Sequence, residues 1–189
     1  MKFIVIDGLD GSGKDTQIAL LAKYYRNKGK NVVVRSHPCD DNKYGRKSRQ
    51  ALQKTGKINH IKATIYFGMD AIRSVRKYSH DDSIDVLIFS RYILAVMYLP
   101  SVVNTITYKL VCFLLPTSDT MFFLDVDPEE SLRRIGSRDE EIEMFENIES
   151  LTKNRENSKK FTYNWNVIDG NQSIEEINRQ IINKCIECD

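Results

Sequence analysis

The stretch GLDGSGKDT at residues 8–16 sets Gly8, Gly13 and Lys14 in the spacing G-x-x-x-x-G-K. Glycines in such a loop let successive backbone N–H groups turn inward around phosphate oxygens, and the lysine reaches the β- and γ-phosphates of a nucleotide. The residue after that lysine is ordinarily Ser or Thr, whose hydroxyl completes a Mg2+ shell. Here it is Asp15, followed by Thr16. A carboxylate also suits a hard cation, yet without the metal its charge repels phosphate. Asp15 therefore either rebuilds the metal site or disables it.

A phosphate loop works only where a strand runs into a helix, because the helix N-terminus adds partial positive charge. The flanks meet that condition, with FIVID before the loop and TQIALLAKYY after it. The same alternation continues along the chain. Apolar runs KFIVID, NVVVRS, IDVLIF, TMFFLDV and NWNVID alternate with helical stretches at 13–29, 43–79 in two pieces, 92–115, 128–157 and 173–187. Strands alternating with helices make βαβ units and a parallel sheet. The runs at 3–6, 32–34, 86–89 and 121–124 are continuously apolar, as expected of strands covered on both faces. The expected fold class is α/β, a three-layer sandwich with a five-stranded parallel sheet and helices on both faces. In such sheets ligands sit beyond the carboxyl ends of the strands, which directs attention to 7–16, 35–41, 90–92, 125–138 and 169–172.

Composition excludes more than it selects. A chain of 189 residues supports one core, so a single domain over 1–189 is expected. The 28 basic and 26 acidic residues are too balanced to argue for a nucleic-acid or membrane partner on bulk charge. The apolar stretch at 92–116 is interrupted by Pro100, Asn104, Thr105, Thr107 and Lys109, a poor pattern for a membrane span. MKFIVIDG offers no secretory signal, making cytoplasm the default expectation. Cys39, Cys112, Cys185 and Cys188 complete no zinc set and read as free thiols, and His37, His60 and His80 show no ligand spacing.

With DGLDGSGKDTQ at 7–17, Pro38, Gly45, Arg49 and Leu52 in the order P-x6-G-x3-R-x2-L, SRY at 90–92, LDVDPEESLRRI at 124–135 and VIDGNQSIEEI at 167–177, the chain resembles the thymidylate kinases. These are P-loop enzymes that move the γ-phosphoryl group of ATP to dTMP, and the likeness spans nearly the whole chain. It implies Mg2+ as cofactor, ATP and a nucleoside monophosphate as partners, and a homodimer built through helices beside the sheet. It assigns ATP binding to Gly8, Gly11, Ser12, Gly13, Lys14, Asp15 and Thr16, and acceptor binding to Asp10, Arg49, Phe67 and Arg91. Lys14, Arg91, Arg134 and Arg138 would be catalytic. The last two lie in a lid at about 133–145, required because the P-loop position that holds an Arg in some relatives is Gly11. Arg133, by contrast, also reads as a solvated charge pairing with Glu129, Glu130 or Glu141.

Three departures from the family pattern stand out. Its Asp-Arg-Tyr is Ser90-Arg91-Tyr92 here, so Asp occupies 15 where a hydroxyl is usual and a hydroxyl occupies 90 where Asp is usual. The expectation is that these ligands have exchanged sides around one Mg2+, leaving Asp15 and Ser90 as the metal residues; the competing reading is drift in a chain that no longer catalyses. The base-reading Arg is Ala71, and Arg73 lies about 200° around the helix from it, so it is no simple substitute. The segment directly after Pro38 offers Cys39, Asp40 and Asp41 in place of a phosphate-binding Arg. Asn171 and Gln172 read equally as adenine contacts or as a turn before a Ser173 helix cap. The alternatives to a dTMP kinase are therefore a kinase for another nucleotide or nucleoside, and a catalytically impaired nucleotide-binding homologue.

Overall fold

A computed structural model describes residues 1–54, 56–99, 101–137 and 147–188. Five strands, β1 (Lys2–Gly8), β2 (Val32–Ser36), β3 (Val86–Ser90), β4 (Met121–Asp125) and β5 (Asn166–Asp169), form one sheet in the order β2-β3-β1-β4-β5, with every neighbouring pair parallel. The connections carry α1 (Lys14–Asn27), α2 (Lys43–Leu52), α3 (Lys57–Tyr78), α4 (Ser101–Leu114), α5 (Pro128–Gly136) and α6 (Ile148–Lys159), and α7 (Ile174–Glu187) ends the chain. The expected α/β architecture is borne out.

Alternation of side chains along each strand divides the apolar residues between two cores. Ile4, Ile6, Ile88, Phe122 and Leu124 pack beneath Ile18 and Leu21 of α1 and Ile177 and Ile181 of α7. Their neighbours in sequence, Val5, Leu87, Phe89 and Phe123, face Ala71, Tyr92, Tyr108, Phe161 and Trp165 on the other side. Both faces of the sheet are covered, which is why these strands read as unbroken apolar runs. A smaller cluster of Leu9, Met97, Ile135 and Leu151 lies under the phosphate loop.

Two expected helical spans divide. The span 92–115 becomes a 3-10 turn at Leu94–Tyr98 followed by α4. A residue before proline is pushed away from helical angles, and Leu99 is extended at ψ 153°. In the span 128–157, α5 and α6 are separate elements, and 138–146 fall outside the described residues. The expected Ser173 cap is present, with Ser173 Oγ accepting from Glu176 N at 3.2 Å.

The segment between β2 and α2 is compressed against the first turn of α2. Asn42 caps that helix by accepting from Tyr44 N and Gly45 N. A Cβ on Gly45 would fall 1.8 Å from the Cys39 carbonyl oxygen, so the spacing from Pro38 to Gly45 reflects a backbone contact that admits no side chain. Gly45→Ala should destabilise the fold by about 1–3 kcal/mol through overpacking, measured as a lower urea midpoint with an unchanged slope.

Candidate active site

Parallel pairing places the ends of β2, β3 and β1 side by side, with Ser36 opposite Ser90 and Val5 opposite Phe89. The chain leaves β1 through Gly8 into the phosphate loop, where Gly11 and Gly13 adopt left-handed backbone at φ 77° and 84°. Gly11 also passes close to α5, since a Cβ there would lie 2.5 Å from the Ser131 carbonyl oxygen. Ser12 N donates to Leu9 O at 3.1 Å, closing the turn before α1 begins at Lys14.

Lys14 is buried, and its ammonium donates to Leu9 O at 3.0 Å and approaches Asp10 Oδ1 at 3.4 Å. The same Oδ1 accepts from Arg91 Nη2 at 3.2 Å, and Oδ2 accepts from Tyr98 Oη at 3.0 Å. Burial opposes ionisation of Asp10, but Lys14, Arg91 and Tyr98 outweigh it and hold the carboxyl below its ordinary pKa. Burial lowers the Lys14 ammonium pKa, with Asp10 acting against that shift. Arg91 has left-handed backbone at φ 49°, unusual for a residue with a side chain. Its Nη1 donates to Ser36 Oγ at 3.4 Å. Lys14 and Arg91 thus converge on one carboxylate, that of Asp10. Tyr98 and Ser36 join them, and only an aromatic after SRY and a strand-ending serine pointed to either in the sequence.

Asp15 lies in the first turn of α1, exposed, and its charge acts on both Lys14 and Arg91, so it faces the same cleft. Ser90 is fully buried, and its Oγ, like that of Ser12, has no partner among the described residues. These orphaned hydroxyls and the Asp15 carboxylate supply oxygen donors suited to a hard divalent cation. Asp7 is engaged elsewhere, accepting from Tyr92 N at 3.0 Å and so fastening the start of the loop to the residue after Arg91. Thr16 is exposed on α1.

The remaining expected residues divide. Arg134 lies over the loop: a Cβ on Gly13 would be 3.9 Å from Arg134 Nη1. Its Nε donates to Glu130 at 2.7 Å and its Nη2 to Gly170 O at 3.0 Å. Arg133 turns outward and pairs with Glu130, and Arg138 lies outside the described residues. Arg49 does not reach Arg91's cluster; it is more than half exposed, pairs with Asp40 at 3.0 Å and donates to Pro38 O. Phe67 stands edge-on to His37 with ring centroids 6.1 Å apart. Ala71, on the inward face of α3, is buried in the core, whereas Arg73 acts on Asp41 and has a buried Nη1 with no partner among the described residues. Asn171 and Gln172 are used locally, by Asp169 and Asp127 and by Gln180 respectively.

The family model described as thymidylate kinase matches residues 6–181. The chain belongs to the thymidylate kinase family. It is 30% identical to a probable thymidylate kinase of Methanococcus aeolicus, over 98% of this chain and 96% of that protein. It is 31% identical to the thymidylate kinase of Desulfotalea psychrophila, over 96% and 92%. In fold it is similar to the solved thymidylate kinase of Candida albicans, with TM-score 0.73, 18% identity, and coverage of 96% of this chain and 89% of that one. Membership places the chain among kinases that use ATP, a divalent metal and a nucleoside monophosphate. Among the described residues no helix is long and apolar enough to cross a membrane.

Burial raises the Asp7 carboxyl above its ordinary 3.8. The native state therefore holds a proton at pH values where the unfolded chain has released it. This group's contribution to stability is full below about 3.8 and is lost as pH climbs through the raised native value. Asp7→Asn keeps an oxygen for Tyr92 N and removes that loss. Urea unfolding from pH 4 to 7 should show the variant gaining stability relative to the parent as pH rises.

Proposed function

We propose that the chain transfers the γ-phosphoryl group of Mg-ATP to dTMP, giving dTDP and ADP. The observation that carries this reading is the convergence of Lys14, Asp10 and Arg91 at the ends of β1 and β3, with Arg134 over the phosphate loop. Phosphoryl transfer asks a protein chiefly for positioning and neutralisation of charge. Gly8, Gly11, Ser12, Gly13 and Thr16 belong to the loop that takes the ATP phosphates, and Lys14 exchanges its contact with Leu9 O for the β- and γ-oxygens. Arg91 holds the acceptor phosphate, with Asp10 setting the height of its guanidinium. Phe67 offers a face to the base, and Arg49 offers charge at the rim once released from Asp40. Arg134 takes charge that develops as the bond to ADP breaks. The acceptor phosphate is already a nucleophile, so no general base is required.

Asp15 and Ser90 are the residues suited to Mg2+, with hydroxyl and carboxylate exchanged between the two positions. When bound, the ion would be held by Asp15 and Ser90 and would neutralise charge on the ATP phosphates. Within this reading the chain is one kinase domain. A second acceptor is favoured by Ala71, whose burial in the core leaves the base edge without the family's arginine. A homodimer is supported by α3, where Ile58, Ile61, Ile65 and Met69 form an exposed stripe at helical spacing. Ile65→Lys should shift the sedimenting species from dimer to monomer; a parent that already sediments as a monomer removes the proposal.

The deciding assay is ADP release from Mg-ATP with dTMP, dUMP and other nucleoside monophosphates against an ATP-only control. Turnover with dTMP is expected, turnover confined to another acceptor moves the substrate, and silence with intact ATP binding overturns the kinase reading. Asp15→Thr should lower kcat/KM by on the order of 10²-fold, since a metal stabilises such transition states by several kcal/mol. Adding Ser90→Asp should recover much of the loss; a double variant no better than the single overturns the exchange.

A further inference from the structure

The segment after β2 buries a histidine in an unusual state. His37 is 1% exposed, edge-on to Phe89 at 5.1 Å between centroids, and neither Nδ1 nor Nε2 has a partner among the described residues. A neutral imidazole carries one N–H and one lone pair, and leaving both unmatched in the interior carries an uncompensated desolvation cost. Charging the ring does not resolve this, because burial pushes its pKa from 6.5 down to about 4. At neutral pH it is the uncharged ring, the form that binds metals.

Two other ligand types face it. The ligand atoms of His37, Cys39 and Asp70 all lie within 4.8 Å of one another. Asp70 is fully buried on α3; its Oδ2 accepts from Cys39 N at 2.7 Å and its Oδ1 from Asn42 Nδ2 at 2.6 Å. These bonds fix the carboxylate while leaving each oxygen a further lone pair, the support that ligating carboxylates have. Cys39 Sγ donates to Ser36 O at 2.8 Å, so metal binding replaces that S–H bond with a thiolate ligand.

We propose that His37, Cys39 and Asp70 form a binding site for a divalent cation of the zinc class, clamping the β2–α2 segment to α3. The donor set of one nitrogen, one sulfur and one oxygen selects zinc-like ions over magnesium, which prefers oxygen alone. Charge balances as well. The thiol releases its proton to solvent on binding, and the thiolate and the Asp70 carboxylate together neutralise the ion. The neighbouring Arg35 is already neutralised by Asp41 through bonds of 3.0 and 2.9 Å. The site uses none of the residues assigned to ATP or magnesium. It adjoins them through His37 N, which donates to Ser90 O at 3.2 Å.

The test is a titration of tag-free, reduced, chelator-stripped protein with Co2+ in the absence of nucleotide. One equivalent should produce thiolate-to-cobalt charge-transfer absorption in the near ultraviolet, and one equivalent of Zn2+ should abolish it. Cys39→Ser and His37→Phe, both close in shape to the residues they replace, should lose the band while retaining the parent's circular dichroism. Absence of the band in the parent overturns the site, as does a band that survives Cys39→Ser, which belongs to Cys112, Cys185 or Cys188. Should the variants unfold, alkylation of Cys39 in the parent is followed with and without one equivalent of Zn2+. At least tenfold protection is expected, and an unchanged rate overturns the proposal.

Discussion

Two cations stand at the bottom of the phosphate cleft, and both are held by one carboxylate. Lys14 is almost wholly buried and Arg91 is partly buried, and a charge removed from water costs several kcal/mol unless it is matched. Asp10 meets both with a single oxygen and uses the other to accept from Tyr98. The loop can therefore form before any anion arrives. Under the proposed function, phosphate oxygens entering the cleft would compete for the same two cations, and the carboxylate would act as a placeholder that keeps those groups aimed.

That arrangement constrains the backbone around it. Arg91 sits in a left-handed conformation whose cost is about 1–3 kcal/mol, tolerated only where surrounding bonds over-determine it. The next residue supplies one such bond, from Tyr92 N to Asp7 Oδ2. Asp7 and Asp10, three residues apart, thus have different duties: one fixes the path of the chain after β3, the other fixes the side chain that path presents. Both depend on β1 and β3 being parallel neighbours. The closure of Gly11 on Ser131 links the loop to α5 and places Arg134 above Gly13.

Much of this was legible before folding. The G-x-x-x-x-G-K spacing between a strand and a helix located the phosphate loop because its chemistry is local: the groups that turn toward phosphate are consecutive. Unbroken apolar strands announced a sheet covered on both faces. The extended backbone at Leu99 was also legible locally, because a residue before proline is pushed away from helical angles. What the sequence concealed were partners far apart along it. Tyr98 lies 88 residues from Asp10, and nothing in its neighbours separates it from a core aromatic. Arg49 fitted a motif, yet an Asp40 nine residues earlier holds it at the rim.

The sequence by itself determined the fold class, the phosphate loop and the family, since each rests on residue types at short, fixed spacings that need no knowledge of the rest of the chain. Tertiary structure alone decided which charges meet. Strand order β2-β3-β1 gathers Ser36, Arg91 and Asp10, and the docking of α3 brings Asp70 against His37 and Cys39, two residues that show no ligand spacing with any other histidine or cysteine. The reason is physical: electrostatic and ligating contacts form over a few ångströms of space, and only the packing of elements sets that distance between residues dozens of positions apart.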